Sequence, residues 1–245
     1  MSIFFVIGTG RSGTHWVGRV LDVHPDIVTT IEEPKVFHWV TRMALDPEKR
    51  PKHLPDLIST YRERAESANP KHYADKSHPN LWLAEALAEQ LPEGLFVGIE
   101  RSPYATVASM LKHSGVQQWI REWRQFPVPN DFLGITEEIA ARYDDMSLEE
   151  QCALRWRSHH QEMQRIRRSL DGRALVLVYE GLIDSNDAQL ARLWDFLTVR
   201  PIQPEEPIQS DSRDRWRSEL DARQIDAIRS VTGIGPDDWS TGEGG

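Results

Sequence analysis

The chain has 245 residues, 39% of them hydrophobic, with a formal net charge of -9. This size allows one full α/β core. The acidic balance excludes broad nucleic-acid binding but still permits a local pocket of arginines around a small polyanion. No apolar run approaches a membrane-spanning helix. No basic leader precedes the first strand, and Cys152, the only cysteine, cannot form an internal disulfide, so a cytoplasmic protein is expected.

Ile3-Phe4-Phe5-Val6-Ile7 is an unbroken apolar run that stops at a glycine, the pattern of a buried strand. Gly8-Thr9-Gly10-Arg11-Ser12-Gly13-Thr14 follows, and Trp16 to Leu21 has helical character. Strand, glycine-rich turn and helix start, in that order, place backbone N–H groups around an anion, normally a phosphate. The glycines allow the tight turn, Arg11 adds a positive charge, and Ser12 and Thr14 add hydroxyls. The loop departs from the Walker A pattern, because Thr14 stands where its lysine belongs and His15 where its magnesium-binding hydroxyl belongs.

The first helix should end near His24-Pro25. Ile27 to Ile31 reads as the second strand, which puts Glu32-Glu33-Pro34 at the edge where a parallel sheet holds ligands. Val36 to Leu45 is an expected short helix, Asp46 to Pro55 a loop, and Leu57 to Ser67 a further helix. Lys76 falls in a polar, turn-like segment, Ala74 to Pro79. A helical pattern follows through Leu81, Trp82, Ala84, Leu87, Ala88 and Leu91.

Leu95 to Ile99 has the composition of a central strand. Arg101 sits at its tip, Ser102 suits an N-cap and Pro103 a first helical position, which predicts a helix over Tyr104 to Lys112. Ser109 lies two turns inside it, so a dianion across the helix start could meet both Arg101 and Ser109. Residues 117–146 are looser and aromatic, and read as a cap or insertion whose rings pack or line an acceptor pocket. A long helix should run from Leu148 to about Leu170. Ala174 to Tyr179 is a buried strand and Ala188 to Leu197 a helix. Thr198 to Asp211 is a proline-rich loop, Ser218 the expected cap of a terminal helix through Val231, and the tail from Gly233 should fray. The expected architecture is one α/β domain over 1–245, with a central, mostly parallel sheet flanked by helices and 117–146 as its cap.

The nine histidines form no metal-binding spacing, so no metal is expected. His159 and His160, adjacent on a helix, point apart. A serine-hydrolase elbow is absent.

Four blocks together resemble the sulfotransferases that use 3′-phosphoadenosine 5′-phosphosulfate, a P-loop-like family. They are Gly10-Arg11-Ser12-Gly13-Thr14-His15-Trp16, Arg101-Ser102-Pro103-Tyr104 with Ser109, Val178-Tyr179-Glu180-Gly181, and the weaker Arg213-Asp214-Arg215-Trp216. Their order and spacing extend the resemblance over nearly the whole chain. It implies that Arg11 and the N–H groups from Gly10 to Thr14 surround the 5′-phosphosulfate. Thr14 and His15 take the family's paired hydroxyl positions, with His15 replacing the common threonine. Trp16 stands where the cytosolic branch stacks adenine, Arg101 and Ser109 hold the 3′-phosphate, and Tyr179 approaches the adenine. Arg213 is the expected late 3′-phosphate arginine, although the family's cytosolic Arg-Lys-Gly pattern is missing and Gly181 replaces the usual aspartate.

The resemblance also implies in-line transfer of a sulfuryl group to an acceptor hydroxyl, with 3′-phosphoadenosine 5′-phosphate as product. Arg11 and Lys76 supply cations where charge builds. Glu33 is the expected general base, as in the carbohydrate and protein branches, with Glu32 its rival and His78 a further alternative. Two other readings stay open: a P-loop kinase, which needs the missing lysine and a magnesium carboxylate, and a non-catalytic nucleotide-binding protein. The acceptor, whether a small molecule, a glycan or another hydroxyl compound, is not specified by composition, and a homodimer is only a base-rate expectation.

Overall fold

The computed structural model of the protein describes residues 2–205 and 208–239. Its first half runs β1 (Ile3–Gly8), α1 (Thr14–Asp22), β2 (Ile27–Ile31), α2 (Pro34–Leu45), α3 (Arg50–Ala68), β3 (His72–Lys76), α4 (Ala84–Gln90) and β4 (Gly94–Glu100). The second half holds α5 (Pro103–Met110), α6 (Ser114–Arg121), α7 (Glu137–Ala140), α8 (Leu148–Ser169), β5 (Ala174–Val178), α9 (Tyr179–Asp184), α10 (Asn186–Leu197), α11 (Trp216–Glu219) and α12 (Ala222–Thr232).

The five strands form one sheet in the order β2-β3-β1-β4-β5, and every pairing is parallel. β1 lies at its centre and is buried along its whole length, which explains the unbroken apolar run. Alternate side chains enter opposite layers. Ile3, Phe5 and Ile7 pack with α2, α3 and α4, while Phe4 and Val6 pack with α1 and α10. A third apolar cluster joins α5, α6, α8 and α12. From β1 the chain crosses to β2 and β3 on one flank, then to β4 and β5 on the other. This switch opens a crevice at the carboxyl end of β1, where open parallel sheets hold their ligands.

Four local expectations are corrected. The segment read as a polar turn before Pro79 forms β3 through Lys76, because its two charged residues find partners: Tyr61 and Asn80 donate to Asp75, and Lys76 pairs with Glu32. The expected loop over Asp46 to Pro55 instead contains the first turns of α3, with Pro51 in its opening turn and Pro55 inside. Buried Leu57, Ile58, Tyr61, Ala65 and Ala68 give that helix its packing face. Asp221, in a capping box with Gln224, starts α12, while Ser218 lies within α11. The tail is pinned as far as it is described: Tyr104 donates to Ile234 O at 2.6 Å, and Trp239 donates to Glu180 Oε2 at 3.1 Å. Residues 240–245 of that tail, and 206–207 of the proline-rich loop, lie outside the described residues.

Candidate active site

The loop after β1 is set by three backbone positions. Gly8 has φ 153°, and a Cβ there would lie 2.7 Å from Ile99 O. Arg11 adopts a left-handed φ of 79°. Gly13, at φ 104°, is the N-cap of α1, and a Cβ on it would lie 2.3 Å from the Tyr179 ring. Only glycine permits that approach. The Ser12 hydroxyl points inward, 2.6 Å from Thr9 O and 3.1 Å from Ile99 O. It ties the loop to β4 rather than offering a donor to a ligand.

A cavity of about 530 Å³ opens in front of this loop, within the usual range for small ligands. It gathers Arg11, Gly13, Thr14, His15, Trp16, Arg101, Ser109 and Tyr179, residues widely separated along the chain. Arg11 Nε donates to Ser109 Oγ at 3.0 Å. Arg101 donates to Arg11 O at 3.3 Å and to Ser212 O, with its guanidinium 4.5 Å from the centre of the Tyr179 ring. Its Nε is buried without a protein partner. The start of α1 points N–H groups at the same space, since the first turn of a helix has no carbonyls of its own to satisfy them.

Arg19, Lys112, His113 and Arg215 also line the cavity, and sequence reasoning missed them. Helical spacing carried the signal: Arg19 is one turn beyond His15, and Lys112 and His113 are one turn beyond Ser109. The two late arginines are placed differently. Arg213 pairs with Asp184 and Asp214 outside the cavity, whereas Arg215 lines it.

Beside the cavity, at the ends of β2 and β3, lies a cluster of charges. Lys76, 1% exposed, donates to His15 Nδ1 at 2.8 Å and to Glu32 Oε1. His78 Nδ1 lies 3.1 Å from the same Glu32 oxygen, and His15 Nε2 lies 3.6 Å from the other. Gly18 makes room for the Lys76 stem, because a Cβ there would come within 3.0 Å of Lys76 Cγ. Burial opposes ionisation of Glu32, but the His78 hydrogen bond and the neighbouring positive charges outweigh it and hold the carboxyl down at about 2. Burial lowers His78 to about 4, leaving it neutral at pH 7, and burial also lowers Lys76 and His15.

Glu33 has a different environment. As the N-cap of α2 it accepts from Lys35 N at 3.3 Å and Val36 N at 3.2 Å, and Arg64 Nη2 donates to it at 3.0 Å. The structure therefore joins Lys76 to Glu32 and directs Glu33 toward α2 and α3. Gly10 faces His78, whose Nε2 would lie 2.9 Å from a Cβ at that position.

A family model described as the sulfotransferase family matches residues 4–203. No curated protein matches the chain at a significant level. Solved structures that share the fold include the following three. The sulfotransferase domain from the curacin biosynthetic pathway is 16% identical, with 95% of this chain and 97% of that one covered and a TM-score of 0.59. The sulfotransferase domain of the Synechococcus PCC 7002 olefin synthase is 17% identical, with 95% and 94% covered and a TM-score of 0.61. A sulfotransferase from Alicyclobacillus acidocaldarius is 16% identical, with 95% and 96% covered and a TM-score of 0.53.

The chain belongs to the sulfotransferase family. It is an enzyme that transfers a sulfuryl group, with 3′-phosphoadenosine 5′-phosphosulfate as donor. The chemistry of the cavity lining suits a polyanionic nucleotide: arginines, an open helix start, and aromatic rings from Trp16 and Tyr179. Among the described residues, no group of three or more His, Cys, Asp or Glu side chains could hold a metal ion, and no helix is long and apolar enough to cross a membrane.

Proposed function

We propose that Glu32, rather than Glu33, is the general base for an acceptor hydroxyl. The carrying observation is that Glu32 shares one hydrogen-bonded cluster with Lys76, His15 and His78, while both Glu33 oxygens serve α2 and Arg64. The donor supplies the sulfuryl group and departs as the bisphosphate. Arg101, Ser109 and Arg215 hold the 3′-phosphate, and Trp16 and Tyr179 take the adenine. Arg11 and the N–H groups at the start of α1 hold the phosphosulfate. Lys76 neutralises charge on the departing oxygen as the acceptor O–S bond forms and the bridging S–O bond breaks, the electron pair leaving with the phosphate.

Glu32 receives the acceptor proton. A carboxylate held near 2 is a weak base toward a resting alcohol, so its contribution comes in the transition state, where bond formation to sulfur makes that proton acidic. A second reading has its own observation: His78 Nδ1 is held by Glu32 while Nε2 has no protein partner, the arrangement of an oriented imidazole base. Glu32→Gln and His78→Gln separate the two in single-turnover assays with labelled donor. The Glu32 reading expects a loss of about a hundredfold or more in Glu32→Gln and a smaller loss in His78→Gln. The opposite order makes His78 the base.

The donor assignment is tested independently by melting temperature. 3′-Phosphoadenosine 5′-phosphate should stabilise the protein more than AMP or ATP, and Arg101→Gln should erase most of that difference. Equal shifts from AMP and the bisphosphate would argue against a dedicated 3′-phosphate site. We further infer that 1–245 works as one domain with 117–146 as cap, acting in the cytoplasm on a hydroxyl-bearing small molecule or glycan. Size-exclusion chromatography with light scattering tests the homodimer expectation.

A further inference from the structure

His15, in the first turn of α1, belongs to both parts of the site. Its ring lines the donor cavity, whereas Lys76, Glu32 and His78, the other members of the charged cluster, do not. The His15 side chain is 51% exposed and Lys76 only 1%, so the imidazole joins a buried ammonium to the cavity wall. Lys76 has only protons to give, and His15 Nδ1, at 2.8 Å, must accept one of them. The ring proton of the neutral imidazole is then on Nε2, which lies 3.6 Å from Glu32 Oε2. Glu32 Oε1 takes a second ammonium proton.

A lysine ammonium is a point charge on a flexible stem and has no direction of its own. Here the stem lies against Gly18, and the head is held from two elements, by Glu32 just after β2 and by His15 on α1. A threonine in place of His15 would carry its acceptor one bond from Cβ. Nδ1 lies two bonds out, and that longer reach is what meets Lys76. Burial lowers the His15 ring, and Lys76, Arg11 and Arg19 lower it further against the opposing effect of Glu32. The ring is therefore neutral at pH 7 and keeps the lone pair that the ammonium uses.

We propose that His15 is a positioning residue for Lys76: Nδ1 fixes the ammonium from the donor side as Glu32 fixes it from the other, so that the cation is in place before charge builds on the departing oxygen. This rests on the charge role given to Lys76 in the proposed function and names what directs it. A cation fixed in advance costs no reorganisation at the moment of reaction. His15 is not itself a base for the acceptor, because Nδ1 is engaged by Lys76 and Nε2 already carries the proton.

The test uses the full chain, labelled donor and water as the acceptor, and follows single-turnover release of labelled sulfate beside titration with the bisphosphate. His15→Ala should slow release by about tenfold to a hundredfold, the effect of losing one hydrogen bond to a charged group, while bisphosphate affinity changes far less. His15→Asn puts an amide oxygen where Nδ1 stood and should recover most of the rate. In a Lys76→Met background, His15→Ala should cost almost nothing more, because its effect passes through the ammonium. Histidine ring-nitrogen NMR gives a reading without turnover: with the bisphosphate bound at pH 7, His15 should show an unprotonated Nδ1 whose resonance moves in Lys76→Met. An unchanged rate in His15→Ala, no recovery in His15→Asn, a full His15→Ala loss in the Lys76→Met background, or a protonated Nδ1 overturns the proposal. A slow Lys76→Met beside a normal His15→Ala overturns it and leaves the role of Lys76 standing, whereas a normal Lys76→Met removes that role and the positioning of it together.

Discussion

Two polar networks lie back to back at the β2–β3 edge, separated by one residue of chain. Along β3, Asp75 and Lys76 point to opposite faces of the sheet. On the α1 face, Lys76 meets Glu32, His15 and His78 beside the donor cavity. On the other face, Asp75 accepts from Tyr61 at 3.0 Å, Asn80 at 3.1 Å and Thr30 at 3.1 Å. That chain continues through Tyr73 and Arg64 to Glu33. Both networks contain carboxylates, but only the first pairs its carboxylate with a buried cation next to a ligand cavity. The second connects β2 and β3 to α3 and the start of α2. On the proposed function, adjacent residues of similar chemistry therefore divide into catalysis and scaffolding according to sheet face.

Replacing Lys76 should produce the largest contrast between the faces. Lys76→Met keeps an unbranched stem beside Gly18 but removes the cation, so turnover should fall by about a hundredfold to a thousandfold. Bisphosphate affinity, which the proposed function assigns to Arg101 and Arg215, should change far less. Removing the ammonium also frees Glu32 from one of the charges that hold it near 2. The carboxyl then protonates at higher pH, and the acidic limb of the rate profile moves toward neutrality. Single-turnover rates across pH measure both effects, and an unchanged rate in Lys76→Met would detach this face from the chemistry.

The Asp75 face should respond to pH in stability rather than in rate. Burial raises the Asp75 carboxyl from 3.8 to about 6 despite its three donors. The folded protein therefore binds this proton more tightly than the unfolded chain does. The stabilisation is complete below about pH 4 and is lost as pH rises through about 6, a change of at most about 3 kcal/mol. His15, His72 and His78 titrate with the opposite sign in the same window, because burial lowers each of them. Only the difference between wild type and Asp75→Asn isolates the effect. In urea unfolding, the variant's stability relative to wild type should improve steadily from pH 4 to 7, and a pH-independent difference would show that Asp75 is not the titrating group.

The comparison also shows what the sequence could carry. The phosphate loop was legible because its requirements are local: Gly8 and Gly13 occupy backbone positions that the turn demands, and an apolar strand and a helix flank them. Arg101 and Ser109 were legible because the helix register relates them. The choice between Glu32 and Glu33 was not, since it depends on the chain leaving β2. Glu32 takes a left-handed φ of 46° there, while its N–H continues the ladder to Lys76 O at 2.9 Å. β3 was hidden for a related reason, because its charged end reads as a turn until Tyr61, Asn80 and Glu32 arrive from elsewhere in the chain.

The smallest expected effect falls on Glu33. Its carboxylate caps α2 and pairs with Arg64, and both side chains are partly exposed, at 35% and 26%. Loss of an N-cap costs about 1 kcal/mol, and an exposed ion pair adds only about 0.2–1 kcal/mol. Pro34, already suited to the first helical position, limits the damage further. Glu33→Ala should therefore lower the melting temperature by about 2–6 °C for a chain of this size, and leave single-turnover rates within about threefold of wild type, far short of the hundredfold expected of a lost base. Glu33→Gln retains an oxygen for the N–H groups of Lys35 and Val36, so it should recover part of the lost stability. A hundredfold rate loss in Glu33→Gln at an unchanged melting temperature would move the base one residue along the chain and merge the two networks into one catalytic unit.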